Sequence, residues 1–184
     1  MDRRELLRAI AALTGYAFVG VDRVLADASD SNVYTPAQIV LLDDIAETIL
    51  PRTGTPGAKD AQVGAYIARY SAACYTPANL AILRAGLGEI DARSRKVHGR
   101  EFVKCTSVQK QKLLIDIDAE AKRHARKSSG NGARPPHWFT LCKQLTLLGF
   151  FTSEAGATRV ARYRPVPGPY KGVVAYKGET FWAW

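Results

Sequence analysis

Apolar residues recur at three- and four-residue intervals along most of this chain, and prolines mark where those intervals start and stop. That combination leaves little room for anything but helices. Thr35 is followed by Pro36 and Gln38, which reads as a helix start: a capping hydroxyl, a proline in the first turn, and a capping-box partner. Ile39, Leu42, Ile45 and Ile49 follow as one stripe, and Pro51 ends it. The periodicity predicts further helices over about 59–74 (Val63, Tyr66, Ile67, Tyr70), 76–96 after Thr76-Pro77, and 106–126 capped by Thr106 or Ser107. Pro135-Pro136 introduces another over 137–148, where Trp138, Phe139, Leu141, Leu145 and Leu148 share a stripe and Gly149 reads as its stop. Thr152 or Ser153 can cap a short restart. The expectation is an all-α fold, a compact bundle of about six helices at 29–162.

The C-terminal segment behaves differently. Pro165, Pro167 and Pro169 each fix φ and push the preceding residue to extended geometry. Residues 163–184 are therefore expected to form a proline-rich extended arm with an apolar end, Phe181-Trp-Ala-Trp184. An arm of this kind binds a partner at low entropy cost, or wraps its own helices.

The first 28 residues read as an address. Arg3 and Arg4, in Arg3-Arg4-Glu5-Leu6-Leu7-Arg8, are close to the twin-arginine export pattern. An uncharged stretch runs from Ala9 to Val21, short of the ~20 residues of a membrane span. Ala26-Asp27-Ala28 offers a small-x-small cleavage site. The expectation is a 1–28 leader, cleaved or retained, and export to the periplasm; an ordinary amphipathic helix is the other reading.

The net charge is +9, and residues 91–127 hold 11 Lys/Arg against 5 Asp/Glu. Such a segment fits a solvated face, an acidic partner or an anionic membrane surface. Its one aromatic, Phe102, gives no stacking platform for single-stranded nucleic acid, and no nucleic-acid partner is expected.

Catalytic chemistry finds few candidates. His98, His124 and His137 are isolated in sequence. Asp43, Asp44 and Glu47 cluster on one helix and Asp116, Asp118 and Glu120 on another, where carboxylates are usually solvated or paired. Ser107 and Ser153 read as caps. The loop Arg52-Thr-Gly-Thr-Pro-Gly57 lacks the P-loop order, and Gly86-Leu-Gly88 lacks the third glycine of a dinucleotide fingerprint. Three cysteines, Cys74, Cys105 and Cys142, leave at least one unpaired; Cys74 and Cys142 are expected in the core. No catalytic, cofactor or metal residue is assigned.

Two blocks carry a resemblance. Leu42-Asp-Asp-Ile-Ala-Glu-Thr-Ile-Leu-Pro-Arg-Thr-Gly-Thr-Pro-Gly-Ala-Lys-Asp-Ala61 is one. The other is Leu145-Thr-Leu-Leu-Gly-Phe-Phe-Thr-Ser-Glu-Ala-Gly-Ala157, with Tyr163-Arg-Pro-Val-Pro-Gly-Pro-Tyr-Lys-Gly172 after it. Together they resemble the small subunit, subunit 3 or gamma, of gluconate 2-dehydrogenase, a family also found with glucoside 3-dehydrogenases. The resemblance implies a non-catalytic subunit of an FAD-dependent sugar or sugar-acid dehydrogenase, which escorts and stabilises a large flavoprotein. The FAD would belong to that partner, and in the resembled complexes a cytochrome c subunit carrying haem c commonly accepts the electrons. The resemblance also tips the C-terminal arm from self-packing to partner contact, and the arm's stiff prolines and Arg, Tyr and Trp anchors then give Arg164, Pro165, Pro167, Tyr170, Trp182 and Trp184 as partner-binding residues. Where the family pattern has a cysteine after Tyr-x-Gly, this chain has Val173. The alternative is a free-standing exported helical protein that binds an anionic polymer or a membrane surface.

Overall fold

The computed structural model describes residues 33–128, 134–166, 168–169, 172–173, 175 and 177–183. The expected leader, with Arg3 and Arg4, lies outside them. The chain divides into two compact units, Met1–Tyr34 and Thr35–Trp184; all that follows concerns the second.

Among the described residues five α-helices form an all-α fold: α1 (Pro36–Ile49), α2 (Val63–Cys74), α3 (Pro77–His98), α4 (Ser107–Ser128) and α5 (Trp138–Phe151). The caps follow from the sequence. Gln38 N donates to Thr35 Oγ1 at 3.2 Å while Thr35 N donates to Gln38 Oε1 at 2.9 Å, closing the capping box on α1. Thr106 and Gln109 do the same for α4. Thr76 Oγ1 accepts from Asn79 N at the start of α3, and Gly99, at φ 69°, ends that helix in the left-handed region.

Helix α1 packs against each of the other four. Its Leu42, Ile45 and Ala46 are fully buried, and Asp44 beside them is only 4% exposed. The Asp44 carboxylate accepts from Lys59 Nζ on one oxygen and from Lys110 Nζ on the other, at 2.6 Å for Lys110. Its neighbours fold the loop that follows α1. Glu47 accepts from Arg52 N and Lys59 N, both at 2.8 Å, and Asp43 accepts from Gly64 N at 2.7 Å, at the start of α2. A Cβ on Gly57 would collide with Glu47 and Arg52 N, and one on Gly64 with Asp43. The Thr-Gly-Thr-Pro-Gly loop is thus drawn over the end of α1 by side chains of α1 itself.

Helix α5 is the other central element, packed against α1, α2, α3 and α4. Glycines let it in. A Cβ on Gly86 of α3 would occupy the Trp138 indole, and one on Gly149 would overlap the Tyr66 ring of α2. Gly149 is therefore a close-contact residue inside α5, and the helix runs to Phe151 where the sequence suggested a stop at 149. The short restart is a five-residue π-helical turn, Gly156–Val160, with Ser153 Oγ accepting from Gly156 N at 3.1 Å.

Cys105 and Cys142 are buried but Cys74 is exposed, against expectation, because it sits in the last turn of α2 beyond the packed Val63–Ile67–Ser71 face. Burial pushes the Cys142 thiol up to about 12.

Replacing Asp44 removes the shared partner of two lysines, of which Lys110 is only 16% exposed. Asp44→Ala is expected to lower stability by about 3 kcal/mol in urea denaturation, since an orphaned, largely buried ammonium is the costly product. A loss below about 1 kcal/mol would mean that water, and not the carboxylate, solvates these lysines.

Candidate partner-binding surface

The C-terminal half of the exposed face of α5 is apolar where a surface helix would normally be polar. Gln144, Leu147, Leu148 and Phe151 recur at i, i+3, i+4 and i+7, so they form one stripe. Leu147 is 39% and Leu148 42% exposed, which corrects the placing of Leu148 in the buried stripe. The buried stripe runs instead through Trp138, Leu141, Cys142, Leu145 and Gly149. A helix with two apolar stripes is buried on one and owes the other an explanation.

The chain's end extends this stripe. The Phe181 ring meets Phe151 edge to face at 5.5 Å and remains 51% exposed. It is held there by a short parallel pairing of β1 (Arg162–Tyr163) with β2 (Trp182–Ala183). Arg162 fastens the junction: its backbone N donates to Phe181 O at 2.9 Å, its Nε to Thr180 O at 3.2 Å, and its guanidinium pairs with Glu179 at 2.9 Å. The described residues of the tail thus show a loop joined at its two ends and not an open arm. Gly168 and Gly178, at φ 84° and 77°, supply left-handed turns within it.

Of the residues expected to bind a partner, Arg164 and Pro165 are exposed directly after β1, next to Tyr163 at 54% and Val166 at 75% exposure. Trp182 lies in β2, paired with Arg162 through the backbone. Pro167, Tyr170 and Trp184 lie outside the described residues. The structure brings in Leu147, Leu148 and Phe151, which the sequence reading did not select. Their i, i+3, i+4, i+7 spacing with Gln144 was the available signal.

Five of the six carboxylates weighed for catalysis, all but Asp116, are engaged in holding the fold. Asp43, Asp44 and Glu47 hold the first loop as described. Asp118 pairs with Lys122 at 2.7 Å and Lys143 at 2.9 Å, which hold its carboxyl below the usual range. Glu120 takes both guanidinium nitrogens of Arg93 at 2.9 Å, with the same effect. Asp116 lines an open groove with Arg93, His98, Lys112 and Arg123. His124 and His137 have rings 5.9 Å apart, but His124 Nε2 lies 2.8 Å from Pro135 O and His137 Nδ1 caps α5 by accepting from Phe139 N. Burial holds the His137 pKa below its ordinary value. Among the described residues no three His, Cys, Asp or Glu side chains are grouped to hold a metal ion.

The helical bundle is built on an α1 carboxylate row and leaves an apolar stripe exposed on its central helix. Residues 36–168 match the family model of gluconate 2-dehydrogenase subunit 3, and the chain belongs to that family. The family is named for a subunit of a dehydrogenase, and so for a multi-subunit enzyme. The match covers Leu42–Ala61 and Leu145–Ala157 of the two blocks that carried the resemblance and ends at Gly168, inside Tyr163–Gly172. No curated protein and no solved structure matches the chain.

The exposed stripe makes a direct prediction about stability. Leu147→Glu with Leu148→Glu is expected to shift the unfolding free energy by no more than about 0.5 kcal/mol, as for surface substitutions elsewhere. Leu145→Glu, one turn away in the core, is expected to abolish cooperative unfolding. If the double variant also unfolds, the stripe is covered by the chain itself.

Proposed function

We propose that this chain is the non-catalytic small subunit of an FAD-dependent sugar or sugar-acid dehydrogenase, of the gluconate 2-dehydrogenase or glucoside 3-dehydrogenase type. The observation that carries the proposal is family membership over residues 36–168. In this reading the large subunit holds the flavin and takes hydride from the substrate carbon, and a haem c subunit accepts the electrons. This chain assigns no residue to the redox step. Its part is to stabilise the flavoprotein and to carry it across the membrane.

Two features support the reading. The carboxylates dense enough in sequence to suggest acid–base work are, apart from Asp116, committed to lysines, arginines and backbone amides that hold the fold. The apolar stripe of Leu147, Leu148, Phe151 and Phe181 is of the kind that a partner covers, with Tyr163, Arg164 and Pro165 beside the β1–β2 junction as its polar and aromatic margin. Leu147→Glu with Leu148→Glu is accordingly expected to release the flavoprotein from a tagged chain while the helical circular dichroism is unchanged. Retention of the flavoprotein by this variant would place the contact elsewhere.

Export follows from the same proposal. Arg3 and Arg4 form the twin-arginine signal, and the periplasm is the destination. Arg3→Lys with Arg4→Lys is expected to leave both this chain and its flavoprotein in the cytoplasm, read by fractionation and flavin fluorescence. A flavoprotein that still reaches the periplasm would rule out the escort role.

A further inference from the structure

Helix α4 has a second face that the dehydrogenase reading does not use. Its inner side, Leu113, Leu114, Ile117 and Ala121, is buried. Opposite, at helical spacing, stand Val108, Lys112, Ile115, Ala119, Lys122 and Arg126, all exposed. Val108 is 75% and Ile115 61% exposed, and no acidic residue interrupts the stripe. Over 18 residues of helix this face runs about 27 Å. Across an open groove of roughly 360 Å³ lies Val97 of α3, itself 60% exposed, with Arg93 reaching over to Glu120.

The charges there are unbalanced. Lys122 is paired with Asp118 and Arg93 with Glu120. Lys96, Arg100, Lys112, Arg123, Arg126 and Lys127 are exposed and make no ion pair among the described residues. One carboxylate in the same layer, Asp116, likewise has none. Cations spread along a helix, with branched apolar side chains between them, suit a broad and delocalised negative surface better than a single anion.

We propose that the outward face of α4, with Val97 and the free cations around it, rests on an anionic lipid bilayer. Lys112, Arg123, Arg126 and Lys127 meet lipid phosphates, and Val108, Ile115 and Val97 enter the headgroup boundary. The contact is peripheral: among the described residues no helix is long and apolar enough to cross a membrane. The proposal stands on this face alone and does not depend on the dehydrogenase reading.

The test is co-sedimentation of the full chain with vesicles of phosphatidylcholine, with and without phosphatidylglycerol. Binding is expected to the anionic vesicles only, and to fall as salt rises. Lys112→Glu with Arg123→Glu and Arg126→Glu is expected to lose about fivefold in partitioning for each cation removed, with unchanged circular dichroism. Arg69→Glu with Arg84→Glu and Lys177→Glu, three exposed cations off this face, controls for net charge and is expected to retain binding to within a few fold. Equal binding to both vesicle types, no binding to either, or an equal loss in the control would overturn the proposal. So would tighter binding to heparin or duplex DNA than to anionic vesicles, which would make the face a polyanion site.

Discussion

A buried carboxylate with two ammonium partners organises this bundle. Asp44 sits in the middle of α1 among fully buried Leu42, Ile45 and Ala46. An ionised group there is tolerable only if its lone pairs are met. Lys59, from the loop after α1, and Lys110, from the first turn of α4, meet them from two sides. With Asp43 on Gly64 N and Glu47 on two further amides, side chains of one helix dictate the course of the chain from Leu50 to Gly64. The same row that in sequence resembles a catalytic acid cluster is the scaffold's internal clamp.

Helix α5 is held against α3 and α2 by shape. Trp138 fits only because position 86 is glycine, and Tyr66 only because position 149 is. Helix α5 is consequently gripped at both ends by aromatic contacts, with its buried stripe locked. Its outer stripe, Leu147, Leu148 and Phe151, is presented on a backbone with little freedom to retract it. A preformed surface of this sort loses little entropy on docking. The Phe181 contact and the Arg162 junction place the returning tail beside it.

Local chemistry was legible in the sequence and nonlocal chemistry was not. Thr35, Thr76 and Thr106 marked three helix starts because a cap is a contact between near neighbours. The start of α2 was read four residues early. Gln62, a non-glycine at φ 51°, separates the 3₁₀ turn Lys59–Ala61 from the helix proper, and nothing in its side chain announces that. Gly149 was misread because a glycine that ends a helix and one that admits a neighbouring ring look alike in one sequence. The closing of the tail escaped for a similar reason: it depends on Arg162 finding Glu179 and Thr180 17 and 18 residues away. Of the candidate site, Arg164 and Pro165 were read and found exposed. The leucines were hidden by counting a single stripe on a helix that has two.

The central claim is that this chain works as one part of a flavin-bearing assembly. The most direct measurement is the visible spectrum of material recovered from the natural cell envelope on an affinity-tagged full chain. The account predicts a second, larger polypeptide in fixed proportion and oxidised flavin absorbance near about 450 nm, bleached by the sugar or sugar acid that the large subunit oxidises, the flavin carrying the redox chemistry. After separation the small chain is colourless. Recovery of the tagged chain alone, or flavin that stays with it once the larger polypeptide is removed, would contradict the account.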